Sequence, residues 1–137
     1  MLQPRKTKFR TQHQGHMSGK ALRGNEVSSG EYGLMSLESS WITSKQIESA
    51  RRAIAHHTKR TGKIWVKIFP HKPITNKAAG TRMGSGKGSV SEYVAVIRPG
   101  TVMFEIAGVS EKVAKEAFEL AHAKLPVKTS FINKTQI

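Results

Sequence analysis

Residues 43–69 have the sequence TSKQIESARRAIAHHTKRTGKIWVKIF, in which a helical pattern gives way to an extended one. Thr43 followed by Gln46 is a capping-box pattern, which predicts the start of a helix. The apolar residues that recur at helical spacing are Ile47, Ala50 and Ile54. Gly62 is expected to end this helix at the C′ position. The alternation of residues 63–69 then predicts a strand.

The predicted strand has two unlike faces. One carries aliphatic side chains, and the other carries Trp65 and Phe69 on either side of Lys67. These two aromatic residues are candidates either to stack on nucleic-acid bases or to pack beneath another part of the chain.

The flanking sequence supplies the other elements. They are a strand at 26–37, a loop at about 70–91, a hairpin formed by 93–97 and 101–106 across Pro99-Gly100, a helix capped by Ser110 and a strand at 127–133. Together they predict an α+β fold, a two-layer sandwich of two helices on a mixed, mostly antiparallel sheet. Residues 1–25 are expected to form an extended basic arm. Residues 26–137 are expected to form a single domain from which the 70–91 loop protrudes.

The composition excludes several classes of protein. The chain has 137 residues, with 23 Lys and Arg, nine acidic residues, a formal net charge of +14 and no Cys. Without Cys there is no disulfide framework and no Cys-based zinc site. No apolar run approaches the roughly 20 residues that span a bilayer. The basic N-terminus also lacks the apolar region of a secretory signal.

The positive charge is segregated. Residues 1–25 hold six basic residues and residues 49–91 hold ten, with no acid in either stretch. A phosphate backbone explains this pattern, because each Lys or Arg near a phosphate releases counterions. An anionic membrane is the other possible polyanion, but the helix lacks bulky aromatic residues on its apolar face. The predicted RNA contacts are Arg5, Lys6, Lys8, Arg10, Arg23, Arg51, Arg52, Lys59, Arg60, Lys63 and Lys67.

The loop contains the segment TRMGSGKGS at residues 81–89. Alternating glycines let a backbone approach phosphate closely and expose N–H groups to it. It is not a phosphate-binding Walker loop, because Lys87 is followed by Gly88 and not by Ser or Thr. Contact with an RNA backbone is the preferred interpretation, and a flexible surface loop is the alternative.

Catalytic and metal sites are not expected. The paired histidines at 13 and 16 and at 56 and 57 have no Cys or Asp beside them. Neither a nucleophile elbow nor paired carboxylates at catalytic spacing are present. We therefore expect no enzymatic activity, no metal and no cofactor.

Seven segments, in order and spacing, resemble one known family. They are 1–10, 23–25, 41–52, 62–70, 72–75, 82–88 and 124–129. The family is bacterial and organellar large-subunit ribosomal protein sixteen, which also includes the eukaryotic cytosolic large-subunit protein ten. One departure follows the loop, where Ser91, Glu92 and Tyr93 stand in place of the usual Glu-Tyr-Trp.

The resemblance implies an α+β protein that binds large-subunit ribosomal RNA near the peptidyl transferase centre, helps position tRNA and joins late in assembly. Its expected partners are ribosomal RNA, tRNA and neighbouring ribosomal proteins, with no membrane and no homo-oligomer. The implied tRNA-facing residues are Thr81, Arg82, Met83, Gly84, Ser85, Gly86, Lys87 and Gly88. Arg82 matches an arginine that is hydroxylated in some bacterial relatives.

We therefore predict a non-enzymatic structural protein of the large ribosomal subunit. The expected location is the ribosome of a bacterial cytoplasm, with a plastid ribosome as the alternative. A stand-alone RNA chaperone or assembly factor is the alternative function.

Overall fold

The computed structural model describes residues 2–5, 19–21, 23–75 and 90–134. Its elements are β1 (Tyr32–Ser36), β2 (Ser40–Thr43), α1 (Ser44–His57), β3 (Lys63–Val66), β4 (Lys72–Thr75), β5 (Val90–Ile97), β6 (Val102–Ala107), α2 (Glu111–His122) and β7 (Thr129–Asn133). The predicted α+β class with two helices is confirmed.

The strands divide between two sheets. One has the order β3-β6-β1-β7 and the other the order β2-β5-β4, and each pairing between described strands is antiparallel. The prediction of one mixed sheet is therefore replaced by two antiparallel ones. The β2 strand was not predicted, and β4 lies inside the stretch predicted to be a loop. Pro73 is tolerated in β4 because that strand lies at a sheet edge.

The predicted hairpin across Pro99-Gly100 is wrong. Strand β5 pairs with β2 and β4, whereas β6 pairs with β1 and β3, so the two strands lie in different sheets. The turn between them bonds to other parts of the chain. The Gly100 N–H donates to the Ser36 carbonyl at 2.8 Å, and the Ala21 N–H donates to the Pro99 carbonyl at 2.9 Å. The turn thus carries the chain from one sheet to the other.

The start of α1 forms as predicted. The Gln46 N–H donates to the Thr43 hydroxyl at 3.2 Å, and the Thr43 N–H donates to the Gln46 side-chain oxygen at 2.9 Å. The predicted apolar residues of this helix, Ile47, Ala50 and Ile54, are all buried. Local sequence is sufficient here because both the cap and the stripe arise within a few residues.

The end of α1 differs from the prediction. The helix ends at His57, and Lys59 and Arg60 adopt left-handed conformations with φ of 53° and 63°. The Arg60 N–H donates to the Ala55 carbonyl and the Lys59 N–H to the His56 carbonyl, which is a Schellman motif. Gly62 instead passes close to the end of β6, where an added Cβ would clash with the Ala107 carbonyl oxygen.

The core lies between the helices and the sheets. Helix α1 contacts β2 and β5 of one sheet and β3 of the other, while α2 packs on β1 and β7. The two helices also pack on each other, and His57 Nε2 lies 3.0 Å from Glu116 Oε2. Ser110 caps α2 as predicted, with its hydroxyl accepting from the Val113 N–H at 3.3 Å. Because α1 contacts both sheets, its outer face is held in a defined orientation.

Candidate nucleic-acid interface

Two of the predicted RNA contacts share one carboxylate on α1. Arg51 donates to Glu48 from Nη2 at 2.5 Å and from Nε at 3.1 Å, and Arg52 Nε donates to the same carboxylate at 3.2 Å. Their side chains remain 41% and 69% exposed. Glu48 lies just outside the acid-free stretch, and its i,i+3 and i,i+4 spacing places it on the arginine face. The cluster therefore carries one net positive charge rather than two.

The two arginines keep Glu48 ionised. Hydrogen bonds from Arg51, and then its positive charge, lower the pKa of Glu48 below the ordinary value of 4.5, although burial opposes this shift. The hydrogen bond to the Glu48 carboxylate in turn raises the pKa of Arg51. At neutral pH the carboxylate thus orients both guanidinium groups while leaving their outer N–H groups accessible.

The turn after α1 presents two further basic side chains. Lys59 and Arg60 are both exposed, and both have left-handed backbones. Such a conformation disfavours a residue with a Cβ by roughly 1–2 kcal/mol, and Gly is the usual residue at this position. Strain of this kind is concentrated at functional sites. The turn thus places two exposed basic side chains at a position where Gly is usual, which favours a binding role.

We expect Lys59→Gly to raise the stability of the protein while weakening its binding to RNA. Relief of the left-handed strain, less the flexibility of Gly, should raise stability by about 0.5–1 kcal/mol, or roughly 2–4 °C in Tm. Loss of the ammonium should weaken RNA binding and make its salt dependence shallower. Thermal melts and RNA titrations at several salt concentrations measure both quantities. Lys59→Arg is the control and should change neither. Unchanged RNA binding in Lys59→Gly would show that this residue does not contact RNA.

The predicted contacts on and after β3 have different surroundings. Lys63 is exposed, with Nζ 5.2 Å from the centre of the Trp65 ring. Lys67 Nζ lies 3.3 Å from the hydroxyls of both Ser28 and Ser29 and 3.9 Å from Glu105 Oε2. Lys67 therefore fastens the segment before β1, whereas Lys63 is available to a partner.

A buried carboxylate that was not singled out in the sequence holds the same segment. Glu105 is fully buried, and it accepts the Ser28 N–H at 3.3 Å and the Ser29 and Gly30 N–H groups at 2.7 Å. Its only sequence signal is a lone Glu in the apolar run VMFEIA of β6. The carboxylate thus anchors the chain where the predicted arm meets the domain.

The remaining predicted contacts fall at the N-terminus and in the loop. Arg5 and Arg23 are exposed. The Ser44 hydroxyl donates to the Leu2 carbonyl, so the start of the chain lies against the start of α1. Lys6, Lys8, Arg10 and the loop residues Thr81–Gly88 lie outside the described residues. The boundaries of the arm and the loop stay predictions.

Other kinds of site were also considered. Within residues 2–5, 19–21, 23–75 and 90–134, no group of three or more His, Cys, Asp or Glu side chains is placed to hold a metal ion. In the same part of the chain, neither helix has the length and hydropathy to cross a membrane. What the described surface does offer is a set of oriented, exposed basic groups on α1 and the turn that follows it.

Comparison with known proteins identifies the family of the chain. The model of the family described as ribosomal protein L16p/L10e matches residues 4–132. The chain belongs to this family. The relatives include the large ribosomal subunit protein uL16c of Thalassiosira pseudonana, which is 57% identical over 137 residues, and that of Trieres chinensis, which is 56% identical over 137 residues. Both matches cover all of each chain. The uL16c of Gracilaria tenuistipitata is 57% identical over 134 residues, 98% of this chain and 99% of its own.

The family resemblance seen in the sequence is thereby confirmed, and with it a structural role in the large ribosomal subunit. The protein is a component of the ribosome, a ribonucleoprotein, and so takes part in translation. It associates with ribosomal RNA and with other ribosomal proteins. The preferred location, a bacterial cytoplasm, was wrong. The three relatives are chloroplast ribosomal proteins of algae, which indicates a plastid ribosome. The motifs failed to separate the two because they are shared by both kinds of relative.

Proposed function

We propose that this protein is a component of the large subunit of a plastid ribosome and binds its RNA directly through α1 and the turn after it. The observation that carries the proposal is the oriented, exposed basic surface formed by Arg51, Arg52, Lys59, Arg60 and Lys63. The role is structural, and we assign no catalytic step to the protein.

Phosphate contact explains the geometry of the arginine pair. A guanidinium group has five N–H donors in a planar fork that matches phosphate oxygens. Glu48 uses some of the donors of Arg51 and Arg52 and restrains both side chains. The unused donors can then meet a phosphate with less loss of side-chain entropy, since part of it is already lost in the free protein.

We expect Glu48→Gln to tighten RNA binding by several-fold at low salt. The change removes the negative charge that competes with phosphate for both arginines. This gain should exceed the loss of side-chain restraint, because glutamine keeps one oxygen that can still accept from Arg51. More counterions should then be released per complex, and the salt dependence should steepen. Titrations against large-subunit ribosomal RNA over a salt series measure this. Glu119→Gln is the matched control, because it makes the same charge change at an exposed site on α2. An equal gain in both variants would mean that only net charge matters.

The proposal extends to tRNA through the loop that joins β4 to β5. Thr75 and Val90 are register partners, so both ends of the loop start from paired strands at the edge of one sheet. The alternating glycines and basic side chains of Thr81–Gly88 suit contact with a phosphate backbone. The family resemblance implies that this segment points towards tRNA near the peptidyl transferase centre. Arg82 is the proposed site of hydroxylation, and peptide mass spectrometry of the native protein tests it.

We expect deletion of Gly84–Gly88 to leave the Tm of the isolated protein unchanged and to weaken tRNA binding by ribosomes that carry it. The reason is that the deleted residues fall between β4 and β5 in the sequence, and the described pairing of these strands already ends at Thr75 and Val90. Thermal melts and filter binding of tRNA to purified ribosomes measure the two effects. A large fall in Tm would contradict the prediction, because the loop would then belong to the core.

Sedimentation of a plastid lysate tests the function as a whole. The chain should co-sediment stoichiometrically with mature large subunits and with translating ribosomes, and it should stay with them at raised salt. Recovery only in light fractions or only in immature particles would overturn the proposal and favour an assembly factor or RNA chaperone. Crosslinking within the purified subunits should then join peptides of α1 to ribosomal RNA.

A further inference from the structure

A cavity of about 540 Å³ lies where three segments of the chain meet. Its walls come from Ile68, Phe69 and His71 after β3, from residues 95–98 and Thr101 around the end of β5, and from Ala21 and Arg23. The volume falls within the roughly 300–1,000 Å³ typical of pockets that hold small organic groups. Among the described residues of the predicted RNA contacts, Arg23 alone lines the cavity.

The lining combines an apolar surface with an exposed aromatic ring. Ile68, Ala95 and Ile97 are buried and supply aliphatic surface. Phe69, in contrast, is 46% exposed. A ring left open to solvent beside an apolar cavity has one face available for stacking, and every nucleobase offers a flat π-face. The lining thus suits a planar aromatic group.

Charge around the cavity favours a polyanion. Among the described residues, Arg23, His71 and Arg98 line it together and no acidic residue does. Within the described part of the chain, neither arginine forms an ion pair, whereas Arg51 and Arg52 are bound to Glu48. Two unneutralised guanidinium groups beside an apolar cavity are placed to contact the phosphates on either side of an inserted base.

Backbone groups at the end of β5 add hydrogen-bonding capacity. The register between β4 and β5 ends at the pair Lys72 and Val94. Residues 95–97 therefore continue past their last partner on that side, next to the cavity, whereas the Arg98 carbonyl already accepts the Thr101 N–H at 3.1 Å. Peptide N–H and C=O groups at such an edge can bond to the Watson–Crick edge of an unpaired base.

Hydrogen bonds hold the walls in place. The Ala21 N–H donates to the Pro99 carbonyl at 2.9 Å, and the Val102 N–H donates to the Gly24 carbonyl at 2.8 Å. These bonds hold the backbone at Ala21 and at Gly24, on either side of Arg23. The Lys67 N–H donates to the Met103 carbonyl at 2.9 Å and fixes the segment that carries Phe69. The site is therefore formed before a ligand enters, which lowers the entropic cost of binding.

We propose that this cavity accepts one unstacked nucleobase of a single-stranded or bulged RNA segment. The base stacks on Phe69, and Arg23 and Arg98 contact the flanking phosphates. Sequence-tolerant stacking of this kind is a general way of binding single-stranded RNA. The inference rests on the proposed RNA-binding function, and it adds a second type of contact to the phosphate surface of α1.

The test compares two synthetic probes, an oligo(A) dodecamer and a dodecamer RNA duplex of mixed sequence. Phe69→Leu removes the ring and keeps apolar bulk, and Phe69→Trp keeps a stacking ring. We expect Phe69→Leu to weaken oligo(A) binding by about tenfold with an unchanged salt slope, since no charge is lost. Its duplex affinity should not change, and Phe69→Trp should bind as the wild type does. Leu120→Ala, at an equally exposed apolar residue on α2, should change the affinity for neither probe.

Failure of the pocket and failure of RNA binding are distinguishable. If wild-type protein binds both probes and Phe69→Leu changes neither affinity, the proposed base pocket is wrong, and the proposed phosphate binding by α1 is unaffected. An equal loss of affinity for both probes would also contradict the proposed base pocket, because the substitution would then act by disturbing the fold. If wild-type protein binds neither probe, both proposals fail. Photocrosslinking of a 5-iodouridine dodecamer gives an independent check. Adducts should map to residues 68–71, and adducts found only elsewhere would contradict the assignment.

Discussion

Glu105→Ala should lower the free energy of unfolding by about 3–5 kcal/mol, because the fully buried carboxylate is the acceptor for three backbone N–H groups. Without it, the amides of Ser28, Ser29 and Gly30 lose their acceptor and Lys67 loses its ion-pair partner. A change of this size corresponds to a fall in Tm of roughly 12–20 °C. Thermal and urea unfolding measure it directly.

Two further variants separate the specific effect from a general loss of charge. Glu105→Gln keeps one acceptor oxygen and should fall between the wild type and Glu105→Ala. Glu31→Ala removes an exposed carboxylate that accepts one bond, from the Gly108 N–H at 3.0 Å, and should cost less than about 1 kcal/mol. If Glu105→Ala were no more destabilised than Glu31→Ala, the three amides would not depend on this carboxylate.

Replacing Arg51 and Arg52 together by Ala should weaken binding to large-subunit ribosomal RNA by tenfold or more at low salt. Two phosphate contacts are lost, and Glu48 remains as an uncompensated negative charge. The slope of log K against log salt should become shallower by on the order of 0.9 for each contact, if duplex behaviour holds. Titrations between about 50 and 200 mM salt measure both quantities.

The matched control for this pair lies on α2. Lys112→Ala with Lys115→Ala removes the same charge from an exposed face, and one of the two lysines is likewise near an acid, with Lys115 Nζ 3.7 Å from Glu111 Oε1. We expect a smaller change in affinity and slope there. An unchanged slope in the arginine variant, or the same change in both, would show that this face of α1 does not touch RNA.

Much of the local structure is predictable from short-range patterns. The capping box at Thr43, the buried stripe of α1 and the Ser110 cap of α2 each depend on residues three or four apart. The two acid-free stretches indicated a polyanionic partner without knowledge of the fold. The ordered motifs identified the family, although they did not separate bacterial from plastid members.

Other features depend on contacts between residues far apart in sequence. The left-handed turn at Lys59 escaped prediction because a glycine three residues later offered the more usual helix end. The role of Glu48 was missed because it lies just outside the stretch in which charge was counted. Glu105 could not be assigned, because its three amide partners lie more than 70 positions earlier in the chain.

By itself, the sequence determined the two helices, the segregation of charge and the family, because each is carried by residue spacing along the chain. Only the tertiary structure decided which strands pair. The alternating pattern of β5 and β6 is compatible with both strands in one sheet or with one strand in each of two sheets. Long-range hydrogen bonds from the Pro99-Gly100 turn to Ser36 and Ala21 favour the second arrangement. That division also creates the cavity beside Phe69, since its walls come from segments that meet only when the chain is folded.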